Sequence, residues 1–141
     1  MKFKLLISLL LFITLVLLDQ YIKSIFVSGW EWHSEAISLV LTYNYGVAFS
    51  MFSFLSENLK YIQVAIMSFA LIYLVLNKEV FNSYYIPISL LFAGGLSNIA
   101  DRFIHGGVVD YVYWHYWFDF AIFNLADVII DLAVVLILLE Q

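Results

Sequence analysis

Apolar residues run on with little interruption in four stretches, at about residues 5–22, 60–76, 84–102 and 121–139. Crossing the hydrocarbon layer takes about 20 apolar residues at a rise of 1.5 Å each, and every stretch comes close to that length. The pattern predicts an all-α integral membrane protein with four transmembrane helices, built as a single membrane-embedded domain over residues 1–141. Between the stretches lie a long first connection, a short turn at Asn77-Lys78-Glu79, and a second long connection rich in Trp and Tyr. The basic start and apolar run of residues 1–18 also fit a cleaved signal peptide. No small-x-small cleavage site follows the run, so a retained helix is expected.

Composition supports lipid as the solvent, because 65% of residues are hydrophobic and only 12% charged, against about 25% in an ordinary soluble domain. A net charge of −5 argues against a nucleic-acid partner. The chain has no cysteine, which excludes disulfides, thiolate metal sites and a cysteine nucleophile. Lys2 and Lys4 precede the first span and Lys78 lies between the second and third, so both termini are expected on the cytoplasmic side.

That topology brings the polar residues to one face of the membrane. Asp19 falls near the outer end of the first span, Asn98 and Arg102 at the outer end of the third, and Asn124 and Asp127 at the start of the fourth. Asn44 and Asp110 lie in the long connections on the same side. Asn98 and Arg102 are four apart and Asn124 and Asp127 three apart, so each pair shares a helix face. An ionisable group at membrane depth costs a few kcal/mol unless it faces the bundle interior, a partner or water. Singly, Asp127 reads equally well as a helix-start carboxylate suited to the helix dipole, and Asp110 as a solvated loop residue. Their convergence is what suggests chemistry. Two carboxylates a few Å apart cannot both ionise comfortably, so one keeps a proton while the other activates water, and hydrolysis needs no metal or side-chain nucleophile.

Other chemistries fit less well. His33, His105 and His115 show no metal-binding spacing, and no metal or cofactor is expected. No GxSxG elbow or Ser-x-x-Lys pair is present. Gly94 and Gly95, inside a span, suit close helix packing better than a phosphate loop. A small proton- or cation-coupled transporter subunit would also bury Asp19, Asp127 and Asp131, but its polar groups should be spread over several depths.

Taken together, "DQYIK" at 19–23, "NYGVAFSMF" at 44–52, "GGLSNIADR" at 94–102, "GGVVDY" at 106–111 and "FNLAD" at 123–127 resemble the lipoprotein signal peptidases, or signal peptidase II. The resemblance implies an aspartyl endopeptidase of the bacterial cytoplasmic membrane. Such an enzyme removes the signal peptide from diacylglyceryl-modified prolipoproteins, cutting just before the lipidated lipobox cysteine. It also implies that Asp110 and Asp127 form the catalytic dyad, at the extracytoplasmic margin where the lipid-anchored substrate presents its scissile bond. Asp19, Lys23, Asn44, Gly46, Asn98, Arg102, Asn124 and Ala126 are implied as substrate-binding or site-supporting residues. The family fold adds a small extracytoplasmic β-sheet element and a short periplasmic helix to the four helices. The β-branched and aromatic segment at about 36–55 is the expected source of strands. Prolipoprotein substrates and membrane lipids are the implied partners, and a monomer is expected. Three positions depart from the family pattern: Ser97 where glycine is common, Tyr111 where phenylalanine often follows the aspartate, and Ala121 where proline is frequent. Asp131, one turn deeper than Asp127, is expected to be a protonated, hydrogen-bonded structural group, with tuning of the dyad as the alternative.

Overall fold

The computed structural model describes residues 2–46 and 51–140. In chain order they form α1 (Lys2–Val27), β1 (Trp32–His33), β2 (Ile37–Asn44), a 3-10 turn at Ser53–Leu55, α2 (Ser56–Leu76), α3 (Lys78–His105), β3 (Val108–Trp114) and α4 (Leu125–Leu139). Helix α3 is the hub: α1, α2 and α4 all pack on it. Its departure from helical geometry at Tyr84, three residues before Pro87, matches the restriction a proline imposes on the turn before it.

Solvent preference is inverted relative to a soluble protein. Leu5, Leu9, Leu17, Phe69, Leu76 and Leu139 are exposed, whereas Asp19, Lys23, Asp101, Arg102, Asp110 and Asn124 are buried. Water would penalise both halves of that arrangement, and hydrocarbon around the bundle rewards the first. By length and composition α1 and residues 57–76 of α2 can cross a membrane, with mean hydropathies of 2.3 and 1.9. Helix α3 carries more polar residues, and the 15 residues of α4 reach about 22 Å.

At one end of the bundle the three strands form an antiparallel sheet in the order β1-β2-β3. Strand β2 comes from the segment expected to supply strands. Residues 47–50, which include part of the second motif, lie outside the described residues. Strand β3 was not anticipated; the Trp- and Tyr-rich stretch read as a connection instead pairs with β2. The fourth helix also begins later than the apolar pattern suggested. Phe123 is bridged to Val112 of β3, so 121–124 stay outside the helix and Asn124 caps it.

The register contains one irregularity that matters for Asp110. Leu39 pairs with Val112 but Thr42 pairs with Asp110, so β2 carries one extra residue between those pairs. Side chains alternate across a strand, so a one-residue slip exchanges the faces of everything beyond it. It brings Thr42 and Asn44 to the face of Asp110, where regular pairing would bring Leu41 and Tyr43.

Candidate active site

The start of α4 shows how the cluster is assembled. A helix begins with backbone N–H groups that have no partner within the helix, and burial there requires acceptors from elsewhere. Two other elements and the cap residue supply them. Leu125 N donates to the Tyr111 hydroxyl of β3 (3.1 Å), Ala126 N to Asp19 Oδ1 of α1 (2.9 Å), and Asp127 N to Asn124 Oδ1 (2.9 Å). The Asp127 carboxylate completes a capping box by accepting from Asn124 N at 3.1 Å. Its charge also suits the positive end of the helix dipole. The helix-start reading of Asp127 therefore holds alongside its place in a polar cluster.

Asn124 links the two aspartates. Its Nδ2 donates to Asp110 Oδ1 (2.8 Å), to the Val109 carbonyl (3.2 Å) and to Asn98 Oδ1 (3.1 Å). Asp110 Oδ2 accepts from Asn44 Nδ2 at 3.2 Å, and Asn44 Oδ1 in turn accepts from Gly46 N at 2.9 Å. Burial pushes the Asp110 carboxyl up to about 7, and the charge of Asp127 pushes in the same direction. Hydrogen bonds from Asn44 and Asn124 and the Lys23 ammonium oppose the rise without cancelling it.

A buried ion network lies beneath this pair. The Lys23 ammonium sits 2.7 Å from Asp19 Oδ2 and 2.6 Å from Asp101 Oδ2, and donates to Asn98 Oδ1 at 2.9 Å. An ammonium has donors only, so the Asn98 atom facing it must be the oxygen. Asn98 Nδ2 is thereby turned to Asp127 Oδ1, at 2.9 Å. Arg102 donates through Nη2 to the Gly46 carbonyl, while its buried Nε and Nη1 find no acceptor among the described residues.

All ten residues singled out from the sequence thus meet in one place. Ala126 is fully buried, and an added Cβ on Gly94 of α3 would lie 2.6 Å from its carbonyl oxygen. Close approach of α3 and α4 therefore depends on Gly94. Gly95 faces the flexible Met67 side chain at 3.1 Å. Sequence reasoning missed Asp101 and Gln20. It also treated Ser97 only as a departure from pattern. Ser97 is fully buried and donates to Asp19 Oδ2, while Gln20 Nε2 reaches both Ser97 Oγ and Asp101 Oδ1 at 2.8 Å. The available signal was spacing, since Ser97 and Asp101 are four apart and share a helix face. Asp131 overturns its expectation: it lies on the exposed side of α4, with no hydrogen bond found to it among the described residues.

Comparison with known proteins finds relatives over nearly the whole chain. The family described as signal peptidase (SPase) II matches residues 11–141. A lipoprotein signal peptidase of Wolinella succinogenes is 56% identical over 131 residues, covering 93% of this chain and 90% of its own. One from Helicobacter pylori strain Shi470 is 49% identical over 138 residues, covering 95% and 88%. Among solved structures, a bacterial membrane enzyme determined by the in meso method at 2.3 Å superposes with a TM-score of 0.79 at 30% identity, over 94% of this chain and 85% of its own.

Proposed function

Starting from the fact that the chain belongs to the signal peptidase II family, we propose that it hydrolyses its substrate with Asp110 and Asp127 as a two-aspartate dyad. The protein is a bacterial membrane peptidase of aspartic type that cleaves signal peptides from prolipoproteins, as its relatives' shared name and their identity over most of the chain support. The finer reading is that the cut falls just before the lipidated cysteine of a diacylglyceryl-modified substrate. The observation that carries the dyad is Asn124, whose one side chain and backbone N–H reach both carboxyl groups.

In this mechanism Asp127 takes a proton from water as the water attacks the scissile carbonyl, and Asp110 donates a hydrogen bond to the carbonyl oxygen. The proton then passes to the departing amine. Asp110 suits the protonated role, since burial and the neighbouring charge push it up to about 7. Asn44 and Asn124 orient it, and Asn98 orients Asp127. Arg102 holds the Gly46 carbonyl, and Gly46 N in turn holds Asn44, which orients Asp110.

The same reading makes α1 to α4 four spans, with both termini cytoplasmic and the sheet at the extracytoplasmic face. Exposed Tyr116, Trp117 and Phe118, following β3, suit the headgroup level there, and membrane lipids are the expected surroundings of a monomer. The test is cleavage of a diacylglyceryl-modified prolipoprotein by purified protein in detergent, with and without chelator. Asp110→Asn and Asp127→Asn should each abolish cleavage in a folded protein; retained cleavage in either sinks the dyad.

A further inference from the structure

Asp101 has no part in the water-activating step described above, yet it is fully buried, a placement that a carboxylate reaches only when it is paired and hydrogen-bonded. Its Oδ1 accepts from Gln20 Nε2 at 2.8 Å. Its Oδ2 accepts from two donors that lead in different directions. One is Val109 N at 3.1 Å, in the residue immediately before Asp110. The other is Lys23 Nζ at 2.6 Å, which continues to Asn98 Oδ1 and from Asn98 Nδ2 to Asp127 Oδ1.

We propose that Asp101 is the positioning residue of the dyad, a single carboxylate that ties the strand carrying Asp110 and the amide that orients Asp127 to the end of α3. This inference rests on the dyad reading and adds a third aspartate that acts through others. Neutralising Lys23 does not by itself account for Asp101, since Asp19 already pairs with that ammonium at 2.7 Å. Asp19 cannot replace it, because its other contacts go to Ala126 N and Ser97 Oγ and none reaches β3. Asn124 also bridges Asn98 and β3, from the α4 side; among the described residues of α3, Asp101 is the one that reaches both arms. The chain geometry brings this about: α3 ends at Gly106, in the left-handed conformation at φ 79°, so β3 turns back past the final turns of the helix.

The consequence is kinetic. A misplacement of about 1 Å in a catalytic constellation can cost on the order of 10²-fold in rate. Asp101→Asn keeps the shape but removes the charge, leaving Lys23 less neutralised beside the dyad. An extra net positive charge favours ionised carboxylates, so the pH at which the dyad loses its shared proton should fall. The experiment measures kcat and KM for a diacylglyceryl-modified prolipopeptide from pH 5 to 9 in detergent, with thermal unfolding of every variant, for wild type, Asp101→Asn, Asp110→Asn and Asp127→Asn. Asp101→Asn is expected to lower kcat about 10²-fold with KM nearly unchanged, and to move the alkaline limb of the profile to lower pH.

A folded Asp101→Asn protein with wild-type kcat and an unmoved alkaline limb overturns the proposal while leaving the dyad intact. Cleavage by Asp110→Asn and Asp127→Asn at wild-type rates removes the dyad reading and this inference together. If Asp101→Asn fails to fold, Asp101→Glu carries the test, because it keeps the charge beside Lys23 and displaces the carboxylate by one methylene from Val109 N. Folded but slow, it supports positioning; folded with wild-type turnover, it refutes it.

Discussion

Replacing Asp110 by Asn should make the protein inactive and, above neutral pH, more stable. Asp110 is 2% exposed, and its carboxyl is raised from an ordinary 3.8 to about 7, first by burial and then by Asp127. A raised value means that the folded state binds the proton more tightly than the unfolded state. The stabilisation is complete below about 3.8 and is lost as pH rises through about 7. A gap of about three pH units at 1.36 kcal/mol each corresponds to roughly 4 kcal/mol of stability lost by pH 8. Asparagine cannot ionise and avoids that loss. It brings a cost of its own, because Asp110 accepts from the amides of both Asn44 and Asn124, whereas the side-chain amide of the variant can accept through only one atom. The remaining donor-to-donor contact costs about 1–3 kcal/mol. Asp110→Asn should therefore be roughly 1–3 kcal/mol more stable than wild type at pH 8, and less stable by a similar amount near pH 4. Thermal unfolding in detergent from pH 4 to 8 reads the crossing directly. A stability difference that stays constant over that range would refute the reasoning, because it would mean that Asp110 does not titrate between the two states.

Further outcomes follow from the same contacts. Asn124→Ala should cost roughly 2–4 kcal/mol, from the lost cap and from buried acceptors at Asp110 and Val109, whereas Asn124→Ser keeps the cap and should recover about 1 kcal/mol of it in a thermal melt. Both changes remove the donor that opposes the rise at Asp110, so the alkaline limb of the cleavage profile should move to higher pH. Gly94→Ala places a Cβ 2.6 Å from the Ala126 carbonyl and should cost about 1–3 kcal/mol with a fall in turnover, since α4 carries Asn124 and Asp127; Gly95→Ala, facing Met67, should be milder in both assays. Asp131→Asn, on the exposed side of α4, should leave kcat and its pH dependence close to wild type.

Much of this protein was legible without coordinates because lipid imposes a strict code: long apolar runs, few charges, and ionisable residues gathered where partners meet them, with Asp131 on the exposed side of α4 as an exception. The helices, the crowding of polar groups at one end and the residues of the candidate site follow from that code and from five motifs in order. What the sequence could not carry is the pairing of distant segments. Strand β3 is hidden in a Trp- and Tyr-rich stretch, since its partner β2 lies some 70 residues upstream and strand preference depends on the partner. The face that Asn44 presents was undecidable, because a single extra residue between Leu39 and Thr42 reverses it. The start of α4 depended on a bridge from Phe123 to Val112, and the importance of Asp101 on two donors from other elements. Composition and spacing determine which groups a membrane will tolerate and on which helix face they lie. Hydrogen bonds between elements decide which of those groups touch, because their geometry depends on register and helix ends set by the fold as a whole.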